Sequence, residues 1–330
     1  MTRKIKAIRK FVALMMLSSV LTSCIYDDLS DCGTNYRLHY TIQPSQALDP
    51  EIASQLTSAS EQLFAPRLRA ALSPIFTDRA EDIDISFFDP QQHSQYHTSI
   101  EMKAHTASYT FYLKPQDYHH VAIANVGTEP QLRTETPNNG SQLSLVINQE
   151  EDTIPSQSIG IFTSQTQIPA SATQQDHSAV LYMKNCASAL VVDRNGYQPT
   201  SIEAYVKNTA SAFTLSDSTY HFNTPKTVAM QQVSDGNLYG LYAATFPSRC
   251  EKDITTQTDQ PAYWEVHAIV FMNGKYTKSV FKVEKPLHAG DFKIIKGKLL
   301  ADGSIVTQTP NVGVSIELNW KPGGNHDINM

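Results

Sequence analysis

Cys24 is the residue of this 330-residue chain whose setting most directly implies covalent chemistry. It follows Leu21, Thr22 and Ser23, a branched apolar residue and two small ones, and this run resembles a bacterial lipobox. Small residues let the backbone enter a signal peptidase, and a thiol is the nucleophile that can accept a diacylglycerol thioether. The residues ahead of it have the three parts of a secretion signal. Arg3, Lys4, Lys6, Arg9 and Lys10 make a cationic start, and Phe11 to Leu17 make an apolar core that continues to Leu21. That core is shorter than the ~20 apolar residues needed to cross a bilayer, so residues 1–23 are expected to be a removable leader.

Cleavage before Cys24 removes five of the 26 Lys and Arg and none of the 32 Asp and Glu, taking the net charge from −6 to −11. An acidic mature chain excludes nucleic acid as partner, because neutralising phosphates needs clustered Lys and Arg. Membrane attachment then comes from acyl chains, and a triacylated terminus exceeds the single chain that anchors only weakly. Ile25 follows the cysteine in place of an aspartate, so retention at an inner membrane is not signalled. Residues 24–34, with Asp27, Asp28 and Asp31, are expected to be an acidic lipidated linker.

Other candidate chemistry is sparse. Cys186 and Cys250 either form a disulfide, as an exported protein allows, or are buried thiols, and no pair of cysteines has C-x-x-C spacing. There is no G-x-S-x-G elbow, H-E-x-x-H pair or phosphate-cradling glycine loop, so no enzyme, metal or cofactor is expected. His93, His97, His119 and His120 read as surface residues. Asp82 and Asp84 share the solvent face of a strand opposite Ile83, Ile85 and Phe87. Trp264 and Trp320 lie in apolar strands, where core packing competes with stacking on a sugar ring.

The elements that must hold these residues are mostly strands. Leu38, Tyr40 and Ile42 alternate on a first strand. Asp49 as cap, Pro50 at the first helical position and an Ile52, Leu56, Ala59, Leu63 stripe predict a helix over 50–64, ended by Pro66. Six further strands are expected at 82–89, 98–103, 108–114, 120–126, 142–147 and 158–163. Residues 164–177 have no apolar cluster and are expected to link two domains, 35–163 and 178–330. The second half alternates over 179–183, 187–193, 201–207, 211–215, 227–233, 238–246, 262–272, 276–284, 292–299 and 312–320. Asn273-Gly274 joins two of these as a type I′ hairpin, and Asn195-Gly196 and Asp302-Gly303 mark further tight turns. Short strands at this spacing predict an all-β chain of two tandem β-sandwiches with one helical insert in the first.

Several stretches taken together resemble the fimbrillin-A-associated anchor proteins of Bacteroidetes. "CIYDDLSDCGTNYRLHYTI" is similar to the lipidated start of that family, with Cys24, Asp27 and Cys32 in the places of its Cys-x-x-Asp-x-x-x-x-Cys opening. "DIDISFFDP" resembles the next strand, with Phe88 and Asp89 at its end. "NTASAFTLSDSTYHF", "GDFKIIKGKLLADGSI" and "VGVSIELNWKPG" look like its distal-domain motifs. The helical insert is longer than the family has between its first two strands. The acidic run after Cys24 looks like the export signals of Bacteroidetes surface lipoproteins.

The resemblance implies two transthyretin-like (Greek-key) sandwiches in an outer-membrane lipoprotein of a type V pilus. It also implies fimbrial subunits as partners, met by strand complementation, in which one subunit's strand fills another's open groove. Pilins open that groove when a protease removes their first strand; an anchor is expected to keep its own. The nearest candidate cut, after Arg37, falls inside the strand. Val312, Val314, Ile316 and Leu318 alternate well enough either to line another subunit's groove or to close the second sandwich. A surface glycan-binding lipoprotein is the rival expectation, to be favoured by an exposed cluster of aromatics on one face.

Overall fold

The computed structural model describes residues 33–43, 48–102, 105–135, 143–147, 152–171, 173–236, 238–250, 262–310 and 312–321. Leu21, Thr22, Ser23 and Cys24 therefore lie outside the described residues, as does the acidic segment that follows them up to Cys32. The chain is all-β, as the alternation predicts, with two short helices after the first strand.

The first half builds most of a seven-stranded sheet. Its strands are β1 (Thr34–Gln43), β2 (Asp82–Phe88), β3 (Ser94–Glu101), β4 (Thr106–Leu113), β5 (Tyr118–Ala124), β9 (Phe162–Ile168) and β10 (Gln175–Met183). They are ordered β3-β2-β5-β9-β10-β1-β4, with β1 and β10 parallel and every other pair antiparallel. The sheet curls until its two edges meet: Tyr96 on β3 and Phe111 on β4 have ring centroids 5.6 Å apart, and Phe87 touches both. Tyr36, Tyr40, Phe87, Phe111 and Tyr118 fill the hollow this leaves.

Residues 164–177 are not a linker: they carry the end of β9 and the start of β10. Gln165 and Gln167 lie on the face opposite the buried Phe162 and Ile168, so the stretch has little apolar signature although both strands are paired. The short strands β6 (Leu132–Glu135), β7 (Ser144–Ile147) and β8 (Thr153–Pro155) leave the first sheet altogether. β6 and β7 join β13 (Ala212–Thr214) and β14 (Thr219–His221) in a four-stranded sheet. β8 pairs with β15 (Lys226–Ala229). The two halves of the chain thus share sheets.

The second half contributes a six-stranded sheet, β22-β19-β18-β12-β15-β8, and a five-stranded one, β16-β17-β11-β20-β21. The remaining members are β11 (Cys186–Asp193), β12 (Ser201–Thr209), β16 (Gln231–Asp235), β17 (Leu238–Thr245), β18 (Trp264–Met272), β19 (Lys275–Val283), β20 (Phe292–Leu299), β21 (Ile305–Thr307) and β22 (Val312–Leu318). The β18–β19 turn has Asn273 at φ 55 and Gly274 at φ 74, both positive as a type I′ turn requires. The five-stranded sheet is buried on both faces. Ala187, Ala189 and Val191 join the core of the curled sheet, while Leu190 and Val192 pack toward the six-stranded sheet. Such two-sided burial explains the continuous apolar reading of β11.

Two helices stand where one was expected: α1 (Leu48–Gln55) and α2 (Ala59–Leu72). The first ends at Gln55, and Ser58 caps the second in a capping box, its Oγ accepting from Glu61 N while Glu61 Oε2 accepts from Ser58 N at 2.8 Å. Pro66 lies inside α2 and does not end it. Burial of Phe64, Leu68 and Leu72 holds the helix through the missing N–H.

The pair packs on the five-stranded sheet, which the second half builds. A Cβ on Gly240 would come within 2.3 Å of Phe64 Cζ, so only glycine lets α2 lie this close. Arg67 pairs with Asp235 at 3.0 Å and Glu61 with Lys296 at 3.2 Å. The Gln55 amide donates to Phe292 O and accepts from Ile294 N, completing the part of β20 that β21 leaves open.

Candidate functional site

The two strands that the sequence singles out are the first and the last. β1 is an interior strand, bonded to β4 along one edge and to β10 along the other. Its inward residues Tyr36, Leu38 and Tyr40 have no exposure and Ile42 has 4%. Arg37 sits mid-strand, paired in register with Asp176 and Thr110. From Tyr36 to Thr41 both backbone edges of β1 are paired within the sheet.

His120 of β5 locks that strand from inside. It is fully buried, its Nδ1 lies 3.1 Å from Ser86 O, and its Nε2 lies 3.0 Å from Tyr40 Oη. A carbonyl only accepts, so Nδ1 carries the proton and Nε2 accepts from the tyrosine hydroxyl. Burial drives the His120 pKa down to about 3 and pushes the Tyr40 hydroxyl well above its usual value. His177 of β10 lies flat against Tyr36, with ring centroids 6.4 Å apart. Sequence reading put His120 at the surface. The tyrosine at period two on β1 was visible, but its buried partner lies 80 positions away.

β22 is an edge strand. It pairs with β19 from Val283↔Val312 to Thr277↔Leu318 and has no second neighbour among the named strands. Val312 and Val314 pack against the core. Ile316 is 42% and Leu318 52% exposed, although their partners Ser279 and Thr277 are buried. The last strand therefore closes one end of the sandwich and leaves the other end as an apolar margin.

The remaining candidates separate. Cys186 and Cys250 do not form the possible bridge: both are thiols. Cys186 is buried and donates weakly to Thr245 O at 3.4 Å, and burial raises its pKa, so it is inert packing. Asp82 accepts from the backbone N–H groups of Gly127 and Thr128, tying down a turn, while Asp84 accepts from Ser99. His93 lies 3.4 Å from Asp89, and His97 meets Ser86 Oγ at 3.0 Å. Among the described residues no group of three or more His, Cys, Asp or Glu could hold a metal ion. Trp264 is core, with Nε1 donating to Lys285 O at 2.9 Å, whereas Trp320 is half-buried at the sheet surface beside Tyr276.

Residues 29–277 match the family model described as "Fimbrillin-A associated anchor proteins Mfa1 and Mfa2". The chain belongs to this family. No curated protein sequence matches it. The fold is similar to three solved structures at low identity. A proposed adhesin from Bacteroides ovatus aligns at TM-score 0.54 and 7% identity, covering 86% of this chain and 95% of the other. A second proposed adhesin, from Bacteroides thetaiotaomicron, gives 0.51 and 11%, with 88% and 100% covered. The fimbrial anchor protein Mfa2 from Porphyromonas gingivalis gives 0.50 and 10%, with 88% and 98% covered. Membership makes this a fimbria-associated protein of the anchor-protein family; the three structures speak for the shared all-β fold.

Proposed function

We propose that the chain is a lipid-anchored anchor or minor subunit of a fimbria. It is tethered to the outer membrane through Cys24, and it ends fibre growth because its first strand is retained. The observation that carries this reading is β1, bonded along both edges with four inward side chains in the core. Burying such side chains stabilises by roughly 1.5–3 kcal/mol each, so expelling the strand would cost about as much as a whole domain's stability. A subunit that cannot vacate this groove cannot accept another subunit's strand there. Contact with the neighbouring fimbrial subunit falls instead to the margin of β22, where Val312, Val314, Ile316 and Leu318 line an edge free for strand addition.

Replacement of Cys24 by Ala in the producing cell tests the reading. Long fibres shed into the medium are the expected result. Fibres of unchanged length that stay on the cell would rule out tethering and growth control through this residue.

A further inference from the structure

Between the curled sheet and the four-stranded sheet lies a cleft of about 300 Å³ that the fimbrial reading leaves unused. β9 and β10 pair only at Thr163↔Tyr182 and Phe162↔Met183 and then diverge, β9 running beside β5 and β10 beside β1. The turn at 215–218, between β13 and β14, is held against β9 by Gln165, whose Nε2 donates to Leu215 O, and Ser218 completes the lining. Strand alternation sends Ala179, Leu181 and Met183 into the core and turns Val180, Tyr182 and Lys184 outward, where Thr163 and Gln165 of β9 line the same cleft.

Lys184 has no counter-ion in this cleft. Its Nζ lies 5.1 Å from the centre of the Phe213 ring, and it forms no ion pair among the described residues. β9 carries no charged residue, and Asp217, the carboxylate on the neighbouring turn, accepts from Thr219 N at 3.1 Å instead. Burial alone holds the Lys184 pKa below the usual lysine value, with no carboxylate acting to raise it. A cation that gives up water without gaining an anion is a standing cost, and its contact with an aromatic face offsets only part of it. The hydroxyls of Thr163 and Ser218 also bond to nothing among the described residues, although Thr163 is 4% exposed. Tyr182 leaves 53% of its surface open beside them.

We propose that this cleft binds an acidic sugar, a single pyranose ring bearing a carboxylate. The carboxylate reaches Lys184, the apolar face of the ring lies against Tyr182 and Val180, and ring hydroxyls bond with Thr163 and Ser218. The volume is at the small end for a ligand pocket, and the pairs at Thr163↔Tyr182 and Phe162↔Met183 close one end of it. It therefore suits one compact ring and not an extended peptide, which needs a strand edge open along its length. A bare anion would neutralise Lys184 and leave the tyrosine ring and both hydroxyls without partners. The site uses neither β1 nor β22, so it and the anchor reading fail separately.

Calorimetric titration of the full exported chain, in detergent micelles, with methyl glucuronide is expected to show saturable binding. The methyl ester of the same sugar keeps the ring and loses the charge, and should bind about tenfold more weakly or worse. Lys184→Met keeps an apolar stem on Phe213 and should lose about as much, with its fold checked by circular dichroism. Tyr182→Ala, at an exposed position, should also weaken binding and serves as the test if Lys184→Met does not fold. Equal binding of the ester overturns the acidic class. Acetate or inorganic phosphate binding as tightly as the glucuronide overturns the sugar. No binding by the unaltered chain, or undiminished binding by both folded variants, overturns the site. A hexaglutamate peptide that outcompetes the glucuronide assigns the cleft to a protein partner and overturns it as well.

Discussion

His120 has both ring nitrogens occupied, by Ser86 O and Tyr40 Oη, so a second proton would have nowhere to go without breaking the bond to β1. The folded pKa of about 3 lies far below the ~6.5 of an unfolded histidine. Between those values the unfolded chain binds a proton that the folded chain refuses, so stability is full above pH ~6.5 and falls as pH drops toward 3. The loss attributable to this residue is about 4–5 kcal/mol at the acid end. Urea unfolding at pH 7 and pH 4 should show it. His120→Gln should start less stable at pH 7 and lose distinctly less between the two; an unchanged pH slope in the variant would assign the effect elsewhere. The sequence concealed this pair because a His-His dipeptide at a strand start looks solvated. Only the tertiary register turns His120 inward and His119 toward Gln165.

Among elements, the helical pair fastens the first half of the chain to the second. Gly240→Ala would push a Cβ into the Phe64 ring, and overpacking of this kind costs about 1–3 kcal/mol. The same change in a Phe64→Leu background should cost less, so a double-mutant cycle in thermal unfolding should give a favourable coupling. Additive losses would mean that the two do not press on each other. The helix was legible in its apolar stripe but not in its end. Pro66 reads as a terminator, yet packing of Phe64 and Leu68 outweighs the lost hydrogen bond. Long strands such as β18 and β19 were legible from period two and from Asn273-Gly274, and β11 from its unbroken apolar run. β6, β8, β14 and β21 span three or four residues each and offer too few positions for a period to register. β22 was legible as a strand, but its place at an edge comes from the order of its sheet. Ile316→Lys with Leu318→Lys should leave the melting temperature nearly unchanged, because both side chains are substantially exposed, and should reduce co-purification of fimbrial subunits from the cell. Full co-purification would remove the edge from the account.

At the scale of the whole molecule, a lipid on Cys24 and a retained β1 are two halves of one proposal. The tether explains why a growing fibre stays with the cell, and the filled groove explains why it stops. The lipobox-like run and the family-like opening are local patterns, so the sequence alone carries the expectation of a tether. The interleaving of the two halves through β6, β7 and β8 was not legible there, because sheet partners such as Ala212 with Val146 and Val228 with Ile154, far apart in the chain, leave no local trace. The most direct test is the intact mass, with amino-terminal peptide mapping, of the protein extracted from outer membranes. The account predicts a chain beginning at Cys24, carrying a diacylglycerol and an amide-linked acyl group, with Thr34–Gln43 present. An unacylated chain, or one whose first residue lies within or beyond β1, would contradict it.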